Sequence, residues 1–290
     1  MLEGILLAIS AAVIYGFLGV VFEIAGKRQY KVWDVILVKQ FAGLCIGAAC
    51  TLLLGLPFFD WRLLGLGLIG AIAYVVTLAA YLVASREKGI ATNWTIINLS
   101  VVVPILLSIV SFGDRFTRQK GLGVVFTIVS IVLIGGASTR SSGGKKTSSR
   151  WYACITVAFL LNGILVSLFR LVPEREGPLF TAYFYGISFF LAACYKLLAD
   201  RTWHPAKGLI AISAAGAVTH WSGIMLTIGA LAHIGKVSKE TGVIVYPITN
   251  GLVIPIGVIL GIVLLKQRIN LRTGLGVALG VLALVCLLIR

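Results

Sequence analysis

Charge is what this chain is short of. Only 12% of its 290 residues are Asp, Glu, Lys or Arg, and acidic residues number 10 against 25 basic ones. A soluble domain carries about a quarter charged residues, so an ordinary soluble protein is excluded. Histidine is scarce too, with 3 in the chain. The five cysteines, Cys45, Cys50, Cys154, Cys194 and Cys286, fall in apolar runs with no metal-ligand spacing between them. They read as small buried hydrophobes, not as a disulfide scaffold or a metal site. No phosphate loop, catalytic triad, haem pair or zinc signature is present. The residues therefore describe no enzyme and ask for no cofactor.

What the chain has in abundance is apolar length. Hydrophobic residues make up 59% of it, and the mean hydropathy is +1.03. Runs of about 20 apolar residues recur from end to end, the mark of membrane-spanning helices. Ten spans are predicted, at about 4–25, 33–54, 63–84, 90–112, 121–138, 151–171, 178–198, 208–234, 241–265 and 273–289. Each crosses roughly 30 Å of hydrocarbon at about 1.5 Å per residue. Barrel strands would be half as long and alternating. Met1-Leu2-Glu3 offers no basic n-region, so the first run is expected to be a spanning helix and not a cleaved signal. The expected class is an all-α, multi-pass protein of the plasma (inner) membrane, with the lipid bilayer as its main partner. The net charge of +15 lies mostly in the short loops, with no basic domain to bind nucleic acid.

Between the fifth and sixth spans lies Thr139-Arg140-Ser141-Ser142-Gly143-Gly144-Lys145-Lys146-Thr147-Ser148-Ser149-Arg150, a polar Gly/Ser-rich linker. It separates residues 1–138 from residues 151–290, five spans each, and the two halves repeat one another. Asp114-Arg115 with Gly121-Leu122-Gly123 matches Gln267-Arg268 with Gly274-Leu275-Gly276 at an offset of 153. Val103-Pro104-Ile105 matches Ile254-Pro255-Ile256 at 151, as Lys88 matches Lys239, and Phe22-Glu23 faces Phe169-Arg170 at 147. Ordered matches at a near-constant offset predict an internal duplication. Because five is odd, consecutive repeats would enter the membrane from opposite sides, giving inverted topology.

Phe112-Gly113-Asp114-Arg115, followed by Gly121 and an apolar run closing at Gly135-Gly136, resembles the end of an EamA repeat of the drug/metabolite transporter superfamily. Tyr15-Gly16 resembles the aromatic-Gly pair of that family's first helix, and Lys39-Gln40-Phe41 the basic residue and Phe of its second. The resemblance spans both halves. The second departs from it, with Lys266-Gln267-Arg268 lacking an acid and Asn162-Gly163 lacking the aromatic. It implies a transporter of amino acids or related metabolites, most often exporting them. It also implies cytoplasmic termini. The charge rule points the other way: the loops opposite the termini hold 15 Lys and Arg and the termini side nine.

Polar groups deep in hydrocarbon are costly and face the bundle interior or a wet cavity. Those near mid-span are Tyr15, Lys39, Tyr74, Asn98, Asn162, His220, Trp221, Tyr246, Thr249 and Asn250. Such a set at one depth is expected to line a midplane cavity or to bind neighbouring helices as polar glue. Lys39 suits a substrate carboxylate or phosphate, or titrates itself; otherwise it partners Glu23 or a backbone carbonyl. Glu23 is expected to carry coupled protons or to pair with Lys27 or Lys39. Asp34 suits a helix start, and Asp114 a turn. Trp33, Trp61, Trp151 and Trp203 sit near span ends, as interfacial anchors do. Pro104, Pro247 and Pro255 predict bends that could serve as hinges. Gly257-x-x-x-Gly261 and Gly276-x-x-x-Gly280 permit close helix contact, within the chain or in a weak dimer of an otherwise monomeric protein.

The functional expectation is a secondary active transporter that carries a small polar metabolite by alternating access. Two alternatives stay open. An exchanger of phosphorylated metabolites or nucleotide-sugars would need a second cation in the cavity, such as Lys236 or Lys239. A non-transporting receptor or assembly partner would need no midplane polar set.

Overall fold

The structure is a computed structural model. It describes residues 1–85, 87, 90–115, 117–119, 121–123, 125–126, 129–130, 133, 148–202, 206–265 and 271–288. The linker at 139–147, Lys88, Gly135-Gly136, Trp203 and the Lys266-Gln267-Arg268 turn lie outside the described residues. Among the described residues the regular structure is helical throughout. We number α1 Leu2–Lys27, α2 Val32–Leu53, α3 Trp61–Ala84, α4 Ile90–Asn98, α5 Val102–Phe112, α6 Ser149–Leu168, α7 Gly177–Tyr195, α8 Leu209–Gly235, α9 Thr241–Tyr246, α10 Val253–Leu265 and α11 Leu271–Leu288. Seven helical segments are long and apolar enough to cross a membrane, and Ile96–Phe112 and Gly274–Ala283 are shorter apolar helices. The chain is an all-α, multi-pass membrane protein.

Local chemistry explains the helix limits. The Asp60 carboxylate accepts from Arg62 N at 2.8 Å and Leu63 N at 3.0 Å, capping α3. Ser148 Oγ accepts from Trp151 N at 3.1 Å and caps α6. Gly113 ends α5 with φ +71°, a left-handed turn that glycine adopts without strain.

The fourth and ninth predicted spans are interrupted. A 3₁₀ turn at Leu99–Val101 separates α4 from α5, and a π-turn at Pro247–Gly251 separates α9 from α10. Proline supplies the reason. Pro104 cannot donate to the carbonyl of Ser100, nor Pro255 to that of Gly251, so the regular ladder is broken there. Both irregular turns are fully buried, which is where a bilayer tolerates them.

One face of the bundle gathers the start of α1 and the ends of α6 and α8. His233 Nδ1 meets Glu3 at 3.2 Å and its Nε2 meets Glu174 at 3.3 Å. The other face gathers the end of α1 and the starts of α2, α6 and α8. There Tyr30 donates to Lys207 O at 2.7 Å, and Ser148 Oγ donates to Glu87 at 2.6 Å. Hence α1 and α6 start from opposite faces.

One sequence reading needs correction, and two others gain a partner. Trp151 is no interfacial anchor: it is buried and donates to Asn93 Oδ1 at 3.0 Å. Asp34 does more than start a helix, since its buried carboxylate meets Lys196 Nζ at 2.6 Å. Asp114 follows the left-handed turn at Gly113, as expected, and is also a buried ion-pair partner of Arg170 at 3.1 Å. The Gly276-x-x-x-Gly280 stripe packs within the chain, against Ser130, whose hydroxyl donates to Gly276 O at 2.6 Å. The five cysteines are unpaired.

Glycine lets α2 lie close on α7. A Cβ at Gly43 would strike the Tyr185 ring, and one at Gly47 would come within 2.9 Å of Ala182 N. Gly65 on α3 has open space around it. Gly43→Val should therefore destabilise the protein by about 1–3 kcal/mol through overpacking. Gly65→Ala should be neutral or slightly stabilising. Thermal melts of the detergent-purified variants check the contrast, and equal melting points would refute close α2–α7 packing at Gly43.

Candidate functional site

Six of the residues expected at mid-span meet around one cavity. Tyr15, Tyr74, Asn98, Asn162, His220 and Asn250 line it, with Phe22, Tyr81, Trp94 and Phe169 among its aromatic walls. These groups arrive from α1, α3, α4, α6, α8 and the π-turn, and so from both halves of the chain. The cavity volume is about 60 Å³. That is room for several waters, each needing roughly 10–15 Å³ by this measure. Trp94 Nε1 and Thr77 Oγ1 border the cavity and have no hydrogen-bond partner among the described residues. Buried donors of this kind are normally met by water or a ligand.

Lys39 sits behind the cavity wall, fully buried. Its Nζ donates to Tyr74 OH at 2.7 Å and lies 3.1 Å from His220 Nδ1. Nζ also stands 4.7 Å from the Tyr74 ring centroid and 5.5 Å from that of Tyr185. Tyr185 OH lies 2.7 Å from the same His220 nitrogen. Lys39 and Tyr185 thus converge on one ring nitrogen, whose role as donor or acceptor follows the tautomer of His220. His220 also lines the cavity. Among the described residues no carboxylate lies within ion-pair distance of Lys39, so the Glu23 pairing is not formed. Glu23 instead meets Lys27 one turn along its own helix, at 3.9 Å.

The remaining candidates are placed elsewhere or act as glue. Trp221 Nε1 donates to Thr181 Oγ1 at 3.1 Å, away from the cavity lining. Tyr246 is buried on α9, with its hydroxyl 3.5 Å from Ser167 O. Asn162 donates to Ser100 Oγ at 2.9 Å and Ile97 O at 3.4 Å, tying α6 to the broken fourth span. Asn98 donates to Trp94 O at 2.8 Å, and Asn250 to Thr249 Oγ1 at 2.9 Å. Sequence reasoning missed Tyr185, Thr77 and Trp94. Tyr185 lies mid-span as the others do, but in a run of aromatics, Tyr183-Phe184-Tyr185, where one hydroxyl carries no signal.

Residues 2–136 match the EamA-like transporter family. No curated protein matches the chain. One solved structure, described as "Crystal structure of protein", is similar over 98% of this chain and 95% of that one, with a TM-score of 0.67 at 14% identity. At that identity the likeness concerns the fold.

The polar cluster makes a quantitative prediction. Tyr74→Phe removes the acceptor of a buried cation and should cost about 1–3 kcal/mol. In a Lys39→Met background the same change should cost little, because both partners then leave together. Denaturant unfolding of the four proteins of this double-mutant cycle measures the coupling. A cost that persists without Lys39 would make Tyr74 a packing residue alone.

Proposed function

We propose, from the match of residues 2–136 to the EamA-like transporter family, that the chain is a secondary active transporter of a small polar metabolite, an amino acid or a related compound, working by export. The observation that carries this reading is the central cavity, to which both halves contribute mid-span polar side chains. We read the chain as ten spans in two inverted five-helix repeats, residues 1–138 and 151–290, joined by the linker at 139–150. The opposite starting faces of α1 and α6 support that arrangement, and alternating access would follow from the repeats rocking about the cavity. The irregular turns beside Pro104, Pro247 and Pro255 are the bends about which the broken spans would flex.

Each lining group has a role in this scheme. The Lys39 cluster supplies donors and positive charge suited to a carboxylate, reached through Tyr74 and His220. Trp94 Nε1 and Thr77 Oγ1 offer two further unmet donors, and Asn98, Asn162 and Asn250 supply adaptable amides. The aromatic walls suit the apolar part of the substrate. A phosphorylated substrate is the weaker fit. Lys239 lines an outer recess and Lys236 is exposed, so neither supplies the cavity with a second cation. Glu23 is the proposed proton-coupling group.

Thermal stabilisation of the purified protein across amino acids, amines, nucleosides, nucleotide-sugars and sugar phosphates tests the reading. A ligand of the folded state raises the melting point by mass action, and a hit among zwitterions is expected. Lys39→Met should abolish that shift while leaving the unliganded melt intact; an unchanged shift would remove Lys39 from the site. With the hit as substrate in proteoliposomes, Glu23→Gln should abolish the pH dependence of flux. A surviving proton current in that variant would place coupling elsewhere.

A further inference from the structure

A second, wider recess opens on the face that holds the start of α1. Its volume is about 660 Å³, and Arg62, Phe112, Gly113, Arg170, Leu231 and Lys239 are among its walls. Consecutive residues separate this vestibule from the central cavity. Phe169 lines the cavity, and Arg170 lines the vestibule. Both lie in the 3₁₀ turn Phe169–Leu171 that ends α6. The two spaces therefore share this turn as part of their walls.

Arg170 is what fastens that turn. Its guanidinium grips Asp114 through two bonds, Nη2 to Oδ1 at 3.1 Å and Nη1 to Oδ2 at 3.2 Å. Nη1 also donates to Ser108 Oγ at 3.1 Å, and the guanidinium lies 4.3 Å from the Phe112 ring centroid. Asp114 Oδ2 in turn accepts from Val243 N at 3.2 Å. One carboxylate so ties the end of α6 to the end of α5 and the start of α9, across the two halves of the chain. The Asp114 side chain is fully buried and that of Arg170 is 14% exposed. Two-pronged, charge-assisted bonds in such surroundings are strong and geometrically strict. They can still be broken, because Arg170 borders water and a bare guanidinium there is readily hydrated.

We propose that Arg170 and Asp114 are the positioning pair that holds Phe169 as a plug between vestibule and cavity, so that parting them opens the cavity to this face. The pair acts through Phe169 and does not touch the transported molecule. The internal repeat strengthens the assignment. Phe22-Glu23 stands where Phe169-Arg170 stands in the other half, and Phe22 also lines the cavity. Each half thus presents a phenyl ring to the cavity with a charged residue directly behind it. The proposal rests on reading the cavity as the transport site, but its test uses no substrate.

The test places a reporter at Thr77, which lines the cavity. Thr77→Cys is built with Cys45, Cys50, Cys154, Cys194 and Cys286 replaced by alanine, and reconstituted in vesicles. A membrane-impermeant methanethiosulfonate is added on one side, identified by a tag on the N-terminus, which marks the vestibule face. Asp114→Asn and Arg170→Gln should each speed labelling from that face about tenfold, as expected for a shifted two-state equilibrium, and leave the opposite-face rate unchanged. Arg170→Lys, which keeps charge but loses the fork, should fall between. The exchanged pair, Asp114→Arg with Arg170→Asp, should return the rate toward that of the parent. Rates unchanged in both single variants, or raised alike from both faces, overturn the proposal. Where the rates overturn the latch, a substrate-induced thermal shift that persists leaves the transport reading standing; where they support it, the absence of any thermal shift upholds the latch and counts against the substrate site.

Discussion

A buried lysine with no carboxylate partner among the described residues sits within this bundle, and the surrounding architecture answers to it. Burying an ammonium in hydrocarbon costs several kcal/mol unless dipoles replace its water. Lys39 is met by the Tyr74 hydroxyl, by His220 Nδ1 and by the faces of two tyrosine rings, so α2, α3, α7 and α8 must converge at this depth. Small residues make the convergence possible. Gly43 and Gly47 bring α2 against α7, and Gly216 lets α8 lie close to Val21 of α1. The same residues form one wall of the cavity, so packing and binding chemistry share their parts here.

The opposite wall is built on broken backbone. The two halves interrupt corresponding spans in different ways, one by tightening to a 3₁₀ turn and one by loosening to a π-turn. Both interruptions place an asparagine at the cavity and leave backbone carbonyls to be satisfied by side chains. Asn162 meets that need at Ile97, and Thr249 Oγ1 donates to Val245 O at 3.1 Å. A regular helix has no such dependence on its neighbours. Segments held together by side chains from another helix can change shape when that helix moves, and the cavity lies between them.

Buried ion pairs mark both ends of the bundle: Asp34 with Lys196 at one, Asp114 with Arg170 at the other. Each joins the first half of the chain to the second. Pairs of this kind add little net stability over a well-packed apolar contact, because desolvation offsets most of the attraction. What they supply is a discrete, breakable contact between two bodies. The narrowness of the central cavity beside the breadth of the vestibule fits a conformation fastened on that side.

Much of this was legible in the order of residues. Apolar runs of membrane length and the prolines beside the broken spans require no tertiary contact to be recognised, because they follow from composition and from what a bilayer excludes. The polar residues at mid-depth were legible for the same reason: hydrocarbon makes each of them conspicuous. Partnership was not. Sequence spacing left Lys39 a choice of a substrate anion, Glu23 or a backbone carbonyl, gave Asp114 a turn but no partner, and set Trp151 at the interface. The structure gave them Tyr74 and His220, Arg170, and Asn93. Which cation meets which dipole depends on how far apart helices distant in the chain are held, and on their rotation about their own axes, to within an ångström. Composition sets no such rotation. Glycine contacts and buried pairs drawn from both halves decide it, and these exist only once the helices have packed.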